Sequence, residues 1–462
     1  MTHKTTLTFY GGLRTIGGTI ISLQYGDSRI IFDFGLVYNP QNHIFDGQIK
    51  LRKSSVVRDY LKLGLIPSID GIYSKEDLPD HTTLISADTY HGNTAILISH
   101  LHLDHMGAMG LIAPSIPVYM TEDSLSLYQT LELIGERVQG NRDFQSCTSN
   151  RPFSVGKITI TPIQVDHDIL GACAFHIQTP DGSILYTGDL RIHGAHPERI
   201  RSFILKAKEI GFDAVIMEGT TLSSEEELPE EALVANKELP EDVVTETRIP
   251  SKMAEVLKAT NGIGIFNIYH RNIDRIRGIL QAGVESGRKV VLEAETAQIA
   301  LNHLGAQNFL VFQSEEMRQS PVPKWQAQLF NKISTISYKE INQNPEQYLV
   351  QNSYDRSLDL FDLNVENGIY LHSNGVPLGS FDPAFQNLER VLQLIGLERV
   401  AIGTGGHAIP QHLKYIVDEL DPATLIPLHS FYPERLKPKN GVQLLPQYGK
   451  TYLLSEGKIM EQ

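Results

Sequence analysis

The sequence predicts an α/β protein of at least two domains, on three observations. Its 462 residues exceed what one ordinary hydrophobic core holds. The first part of the chain contains apolar segments with strand-like alternation, separated by glycine turns. Further along, strand-like and helical segments alternate, which is typical of a parallel sheet covered by helices.

The N-terminal segments are interpreted as strands that end in polar residues. Thr19–Tyr25 and Arg29–Phe32 alternate like the strands of a hairpin, and Asp33 closes the second of them. Ala95–Ser99 is a short apolar strand that leads directly into His100. Three more strands, each followed by polar residues, are expected at Ile158–Val165, Ser183–Tyr186 and Asp213–Met217.

Two stretches interrupt this pattern. Tyr38–His91 contains scattered proline, glycine and charge, so we expect a loop-rich insertion with one short helix at Val56–Leu63. Glu225–Glu246 is acidic and punctuated by proline, which indicates a linker or surface excursion. This second stretch is a candidate domain boundary.

Beyond the boundary the chain alternates between strand and helix. We predict a strand at Gly264–Ile268, a helix at Asn272–Ser286 and a strand at Arg288–Leu292, in a unit that ends near Ile369–Leu371. The tail repeats strand, helix and strand at Arg399–Gly403, Ile409–Leu420 and Leu425–Leu428. His407 and His429 follow its two strands.

Composition argues against several classes of protein. No segment approaches the ~20 apolar residues of a transmembrane helix, and the N terminus lacks the apolar run of a signal peptide, so we expect a cytoplasmic protein. Cys147 and Cys173 are far from CxxC spacing, which disfavours a disulfide framework and a thiolate metal site. The net charge of −14 disfavours broad nucleic-acid affinity, so a nuclease would need a local basic groove. The candidates for such a groove are Arg271, Arg275, Arg277, Arg288 and Lys289, and a solvated helix surface is the alternative interpretation of the same residues.

The segment from His100 to His105 carries the strongest functional signal. His100 and His102 are two residues apart in an extended backbone, so both can reach one cation, while Asp104 and His105 turn toward a second. Imidazole and carboxylate are the donors that borderline divalent metals prefer. Further ligands should come from other strand ends, where His167 and Asp189 are candidates. A solvated histidine-rich loop is the alternative interpretation.

The order of these motifs resembles that of a known superfamily. His100-x-His102-x-Asp104-His105, then His167 and Asp189, preceded by Asp33, resembles the motif set of the metallo-β-lactamase fold. Three later motifs resemble those of its β-CASP branch, which includes ribonuclease J and the pre-mRNA 3′-end processing endonuclease: Met217-Glu218-Gly219-Thr220, Gly405-Gly406-His407-Ala408 and Pro427-Leu428-His429. The likeness extends from about Gly11 to His429.

The resemblance implies an architecture and a set of metal ligands. The fold would be a metallo-β-lactamase αβ/βα sandwich formed by residues 1–230 and 386–462, with an inserted parallel α/β β-CASP cap at residues 231–385. Two divalent ions, zinc or alternatively manganese, would bind beneath the cap. One would be held by His100, His102 and His167, the other by Asp104, His105 and His429, with Asp189 between them. Asp33 would support the ligand loop from behind.

Two divalent ions about 3.5–4 Å apart can share a hydroxide and deliver it in line to phosphorus. By the same resemblance, His407 would protonate the leaving oxygen and Glu218 would hold His407. The alternative is that Glu218 caps the following turn and His407 is a loop residue. Candidate substrate-binding residues are Ser373, Asn374, Gly406 and Ala408.

We therefore expect a metal-dependent nuclease that acts on RNA, with single-stranded DNA as a further candidate substrate. Endonuclease and exonuclease action both stay open. Ile409 and Pro410 stand where ribonuclease J usually has a serine that helps to grip a 5′ phosphate, which argues against 5′-exonuclease activity. Two other classes are weighed: a hydrolase of a small ester, lactone or thioester, which the net charge suits, and a non-catalytic nucleic-acid-binding subunit. Homo-oligomerisation is left open.

Overall fold

The computed structural model of the protein describes residues 4–37, 44, 49–140, 142–224, 226–305, 307–455 and 457–462. Residues 38–43 and 45–48 of the predicted insertion lie outside the described residues, as does Glu225 at the start of the predicted linker. Within the described part, the chain forms three β-sheets with helices packed against them.

The strands and helices are numbered along the chain. The first eleven strands are β1 (Thr5–Phe9), β2 (Ile21–Tyr25), β3 (Ser28–Phe32), β4 (Asn93–Leu97), β5 (Val118–Thr121), β6 (Gln145–Cys147), β7 (Phe153–Val155), β8 (Ile158–Gln164), β9 (Cys173–Thr179), β10 (Gly182–Tyr186) and β11 (Ala214–Glu218). The others are β12 (Gly264–Ile268), β13 (Lys289–Leu292), β14 (Leu310–Phe312), β15 (Thr335–Ile336), β16 (Tyr348–Gln351), β17 (Ile369–Ser373), β18 (Glu398–Ala401), β19 (Thr424–Leu428), β20 (Val442–Gln443), β21 (Thr451–Ser455) and β22 (Lys458–Glu461). The α-helices are α1 (Val56–Leu63), α2 (Leu103–Met106), α3 (Glu122–Ile134), α4 (Pro197–Ile210), α5 (Ile249–Ala259), α6 (Ile273–Ser286), α7 (Ala294–Leu304), α8 (Glu315–Gln319), α9 (Lys324–Lys332), α10 (Tyr338–Ile341), α11 (Pro383–Leu394) and α12 (Pro410–Leu420).

The first two sheets pack face to face. The first sheet has the order β22-β21-β1-β2-β3-β4-β5-β6, and the second has the order β20-β19-β11-β10-β9-β8-β7. Their inward side chains form one buried cluster, in which Leu7 and Ile30 of the first sheet join Phe175 and Ile216 of the second. Burying apolar surface between the sheets is the main force that holds the sandwich together. The predicted α/β sandwich is therefore confirmed.

The third sheet belongs to the inserted part of the chain. Its order is β15-β14-β13-β16-β12-β17-β18, and every neighbouring pair is parallel. The central strand β12 is buried along its whole length, as a parallel sheet covered on both faces requires. Because β18 pairs with β17, the expected end of the cap at residue 385 falls inside this group of elements. We propose a boundary near Ile402 instead.

Individual elements follow the local sequence closely, with one exception near the metal motif. The predicted helix at Val56–Leu63 has those bounds, and α6 begins one residue later than predicted because Asn272 is its N-cap. The exception is the short helix α2 inside the motif, which the sequence pattern did not predict. The carbonyl of His102 accepts the backbone N–H groups of His105 and Met106, so the helical turn starts at Leu103.

None of the helices in the described residues has the length and apolar character that crossing a membrane would demand.

Candidate metal centre and catalytic site

The predicted site residues lie where strands of the first and second sheets end. In the first sheet, β4 ends at Leu97, three residues before His100. In the second sheet, β10, β11 and β19 are parallel neighbours, so their carboxyl ends meet at one edge. Side chains at or just after strand ends of that sheet complete the site: His167, Asp189, Glu218 and His429.

A first group of donors consists of His100, His102 and His167, whose nearest ring nitrogens lie within 4.8 Å of one another. His102 Nδ1 is 3.1 Å from His167 Nε2. His100 is fully buried, whereas the His102 side chain is 17% exposed and faces the opening of the site. Three imidazoles at this spacing suit one divalent cation.

A second group consists of Asp104, His105 and His429. His429 Nε2 lies 3.0 Å from Asp104 Oδ2 and 3.1 Å from His105 Nε2. His105 and His429 come from opposite sheets of the sandwich, and their rings stack at 4.9 Å. The fold therefore brings together donors that are 324 residues apart in the sequence.

Asp189 lies between the two groups. Its Oδ2 atom is 3.1 Å from His105 Nε2, 3.6 Å from His100 Nε2 and 3.9 Å from His429 Nε2. Both carboxylate oxygens of Asp189 and the Nε2 atom of His100 are buried without a hydrogen-bond partner among the described residues. Leaving such groups uncompensated in the interior is costly, so the arrangement calls for a cation.

Outer hydrogen bonds orient four of the five histidines. Each uses Nδ1 as follows: His100 with Ser99 Oγ at 3.0 Å, His105 with Asp33 Oδ2 at 2.8 Å, His167 with the Gly406 carbonyl at 2.6 Å, and His429 with Thr220 Oγ1 at 2.8 Å. A ring that donates through Nδ1 keeps a lone pair on Nε2, which then points inward. The donor set therefore fits divalent metal binding.

The charge states of His100, His167 and Asp189 agree with that fit, whereas for His105 burial would lower the pKa but Asp189 and Asp104 hold it well above the ordinary value. Burial lowers the pKa of His167 to about 4, and burial together with His105 holds the pKa of His100 well below its ordinary value. Burial would raise the pKa of Asp189, but His105 and His429 hold it well below the usual range. Neutral imidazoles and an ionised carboxylate are the forms that ligate metals.

Asp33 lies behind the loop that carries His100, His102, Asp104 and His105, and its supporting role there stays a prediction. Its fully buried carboxylate accepts the backbone N–H of Ser99 at 2.7 Å and the Ser99 hydroxyl at 2.8 Å, and it also bonds the hydroxyl of Tyr186. With the contact to His105, four groups are fixed by one carboxylate. This places the loop after β4 against the end of β10.

His407 and Glu218 form a pair beside Asp189. His407 Nδ1 lies 3.0 Å from Glu218 Oε2 and 3.7 Å from Asp189 Oδ2, and the His407 side chain is 24% exposed. Burial would lower the pKa of His407, yet the carboxylates of Glu218 and Asp189 raise it to about 10. Glu218 also accepts the backbone N–H groups of Leu190 and Thr220, so it holds the following turn as well as the histidine.

The structure contradicts two of the four predicted substrate-binding residues. Ser373 is fully buried, and its hydroxyl accepts from Arg275 at 2.7 Å. Ala408 is fully buried, its N–H donates to Leu190, and its carbonyl accepts from Thr221. Both residues are occupied by internal bonds and have no exposed group to offer a phosphate.

The other two candidates are also engaged internally. Asn374 Oδ1 accepts from Arg275 at 3.2 Å. The carbonyl of Gly406 accepts from His167. The assignment of Asn374 and Gly406 as substrate-binding residues stays a prediction.

Four of the five candidates for the basic groove are bonded to other groups of the protein, and Lys289 is exposed. Arg275 is buried and paired with Glu246, Arg271 is paired with Glu136, and Arg277 is paired with Asp274. Arg288 is buried, and its guanidinium donates to four backbone carbonyls of the cap. The buried Arg275 and Arg288 bond groups inside the protein, which sequence clustering alone could not distinguish from a nucleic-acid surface.

Sequence reasoning missed three contributors to the site. Tyr186 and Thr220 bond Asp33 and His429, but a tyrosine and a threonine after strands carry no specific signal. Asp168 follows His167 directly, and its Oδ1 atom lies 3.3 Å from His167 Nε2 and 3.4 Å from His102 Nε2. Its only sequence signal is that it adds a second acid around His167.

Comparison with known proteins adds independent findings. Residues 67–264 match the model of the Beta-lactamase superfamily domain. Ribonuclease J of Pyrococcus abyssi (strain GE5 / Orsay) is 23% identical over 91% of this chain and 88% of its own length. Ribonuclease J of Helicobacter pylori (strain J99 / ATCC 700824) is 24% identical over 66% of this chain, but the chain spans only 39% of that longer protein. The crystal structure of a protein of unknown function from Enterococcus faecalis V583 is 30% identical, with a TM-score of 0.80 over 98% of this chain and 100% of that one.

The sandwich, the histidine and aspartate clusters at its edge and the matched domain define a protein of the metal-binding hydrolase class. The chain belongs to the metallo-β-lactamase superfamily. Its similarity to ribonuclease J over most of its length places it in the β-CASP branch of that superfamily.

Proposed function

We propose that the chain is a metal-dependent ribonuclease that hydrolyses phosphodiester bonds, with single-stranded DNA as a second candidate polymer. The observation that carries the proposal is the position of Asp189 Oδ2, within 4 Å of His100, His105, His429 and His407. One carboxylate thus touches both donor groups and the acid–histidine pair. The similarity to ribonucleases J supports RNA as the substrate.

Two divalent ions, zinc or alternatively manganese, would be held by the two donor groups. His100, His102 and His167 would bind one, Asp104, His105 and His429 the other, and Asp189 would contact both. When bound, such ions supply Lewis acidity and an activated water for attack on phosphorus. The outer hydrogen bonds of the histidines and the bonds to Asp33 would hold these ligands in place before the metals arrive.

His407 would donate a proton to the leaving oxygen. It is the one member of the acid–histidine pair that reaches solvent, and its pKa is raised to about 10, so it is protonated at neutral pH. Glu218 would orient the ring through Nδ1, which leaves Nε2 as the donating atom. Glu218 is therefore a positioning residue and His407 the acid.

Three further assignments are proposals of the same kind. The cap is placed at residues 231 to about 402, the protein is placed in the cytoplasm, and homo-oligomerisation stays a prediction. The small-molecule hydrolase is the second candidate function, because the arginines of the cap are bound to carboxylates and carbonyls. Substrate tests separate the two functions.

The experiment uses purified protein with RNA and single-stranded DNA labelled at either end, under Zn²⁺ and under Mn²⁺. We expect cleavage of RNA by the native protein, loss of cleavage in Asp189→Ala, and at least about a hundredfold slower turnover with unchanged metal content in His407→Ala. His81→Ala, at an exposed position, is the matched control and should cleave normally.

Product ladders would assign endonuclease or exonuclease action. Inertness of the native protein on both polymers, with hydrolysis of a lactone or thioester, would establish the small-molecule function instead. Cleavage that survives in Asp189→Ala would overturn the proposed centre.

A further inference from the structure

Asp168 is a carboxylate at the mouth of the site that the ligand set above leaves without a role. Its side chain is 17% exposed, yet its Oδ1 atom is buried and has no hydrogen-bond partner among the described residues. The two nitrogens beside Oδ1 are Nε2 of His167 at 3.3 Å and Nε2 of His102 at 3.4 Å. A buried carboxylate oxygen without a donor is unfavourable unless a cation faces it.

The hydrogen bond of His167 shows which of its ring nitrogens faces Asp168 with a lone pair. Its Nδ1 atom donates to the Gly406 carbonyl, so Nε2 carries a lone pair and cannot donate to Asp168. Two lone-pair atoms at 3.3 Å repel each other unless something positive lies between them. The other nitrogen beside Oδ1 is Nε2 of His102 at 3.4 Å, and Oδ1 has no hydrogen-bond partner among the described residues.

The spacing is that of atoms sharing one ion. Two neighbouring donors that bind one zinc ion at 2.0–2.2 Å lie roughly 3 Å apart. His167 Nε2 is 3.3 Å from Asp168 Oδ1 and 3.1 Å from His102 Nδ1. The distance from His167 Nε2 to Asp168 Oδ1 is therefore similar to the distance from His167 Nε2 to His102 Nδ1.

Gly406 provides the space for this carboxylate. A Cβ atom built on Gly406 would lie 2.6 Å from Asp168 Oδ1 and 2.9 Å from Oδ2. Any larger residue would push Asp168 away from the two histidines. The same glycine accepts the hydrogen bond of His167, so one backbone unit fixes both neighbours.

We propose that Asp168 supplies a carboxylate ligand to the metal ion held by His100, His102 and His167. The inference rests on the metal centre of the proposed function and adds a fifth protein donor to that ion, beside the three histidines and Asp189. An extra oxygen donor and negative charge strengthen binding of a divalent cation there and favour metals that accept oxygen ligands, such as Mn²⁺.

The test measures metal binding directly. Full-length apoprotein is titrated with Zn²⁺ and with Co²⁺, metal content is measured by mass spectrometry, and the visible absorption of bound Co²⁺ reports its ligands. Asp168→Asn keeps the size of the side chain but replaces the carboxylate with a poorly ligating amide. Asp242→Asn makes the same chemical change at an exposed position and is the control.

We expect Asp168→Asn to weaken one of the bound metals at least about tenfold and to alter the Co²⁺ spectrum, with Asp242→Asn unchanged. Gly406→Ala should shift the spectrum in the same way, because it displaces the carboxylate. Native far-UV dichroism of each apoprotein shows that the variants are folded.

Two results would overturn the inference, and they differ. Unchanged affinity and spectrum in Asp168→Asn, beside a native protein that binds metal, would reject Asp168 as a ligand and leave the proposed function intact. A native protein that takes up no metal would reject both.

Discussion

Replacing Arg275 with methionine should destabilise the protein far more than the same change at Arg277, two residues further along α6. The Arg275 side chain is 1% exposed, and its guanidinium makes a bidentate pair with Glu246 at 2.6 and 3.0 Å. It also donates to the carbonyl and hydroxyl of Ser373 at 2.9 and 2.7 Å. Methionine fills much of the same volume, so the loss is mainly electrostatic.

The loss of stability in Arg275→Met can be estimated from the buried groups that lose their partner. Glu246 keeps one partner, Arg191 at 3.2 Å, and the Ser373 groups lose their donor in the interior. Removing one member of a buried ion pair costs about 3–5 kcal/mol. Arg277 is 58% exposed and pairs with Asp274 one turn away, where an exposed pair contributes about 0–0.5 kcal/mol.

Thermal unfolding followed by calorimetry and by near-UV dichroism measures the difference. With about 2–4 °C per kcal/mol for a unit of 150–250 residues, Arg275→Met should lower Tm by roughly 6–20 °C and Arg277→Met by no more than roughly 2 °C. If the two variants unfold within about 2 °C of each other, the buried network does not stabilise the cap as argued. Arg275→Lys should fall between them, because it keeps the charge but loses the bidentate geometry.

Two further predictions concern the metal centre. Chelation with EDTA should lower the free energy of unfolding by about 2.7 kcal/mol for each site that had been held at 100 times its Kd, and an unchanged Tm on chelation would contradict a metal that stabilises the native state. Gly17→Ala should weaken metal binding, because Gly17 has φ +76° and its added Cβ would collide with Asp104, a proposed ligand. Gly64→Ala, with φ +69° and open space around it, is the matched control and should cost about 1 kcal/mol of stability while metal affinity measured by titration stays native. Equal metal affinity in both glycine variants would refute the steric argument.

Several features of the fold were readable from local pattern. The strand Gly264–Ile268 and the helix Val56–Leu63 have the predicted bounds, because apolar periodicity and glycine stops determine short elements locally. The motif from His100 to His105 was likewise visible as a dense set of donors. Its superfamily could be inferred because the later motifs follow in a fixed order.

The roles of several polar residues depended on tertiary packing and could not be predicted from local sequence. Arg275 and Ser373 looked like groups that bind substrate, yet the packing of α6 against the end of β17 joins them to each other. A sequence lists charges but does not say which are neutralised in the interior. The helical turn at Leu103 was missed because the His102 carbonyl, rather than an apolar pattern, starts it.

The sequence by itself determined the kind of donors, their order and the strand ends that carry them, because these depend on residue type and short-range periodicity. Tertiary structure alone decided that His105 meets His429, that Asp189 lies between the two donor groups and that Asp168 faces His102 and His167. Except for the adjacent pair His167 and Asp168, those contacts join residues that are distant in the chain, and their distances are set by how the two sheets pack and where the loops after them turn. Chemistry at a metal centre depends on such distances to a few tenths of an ångström, which no local pattern encodes.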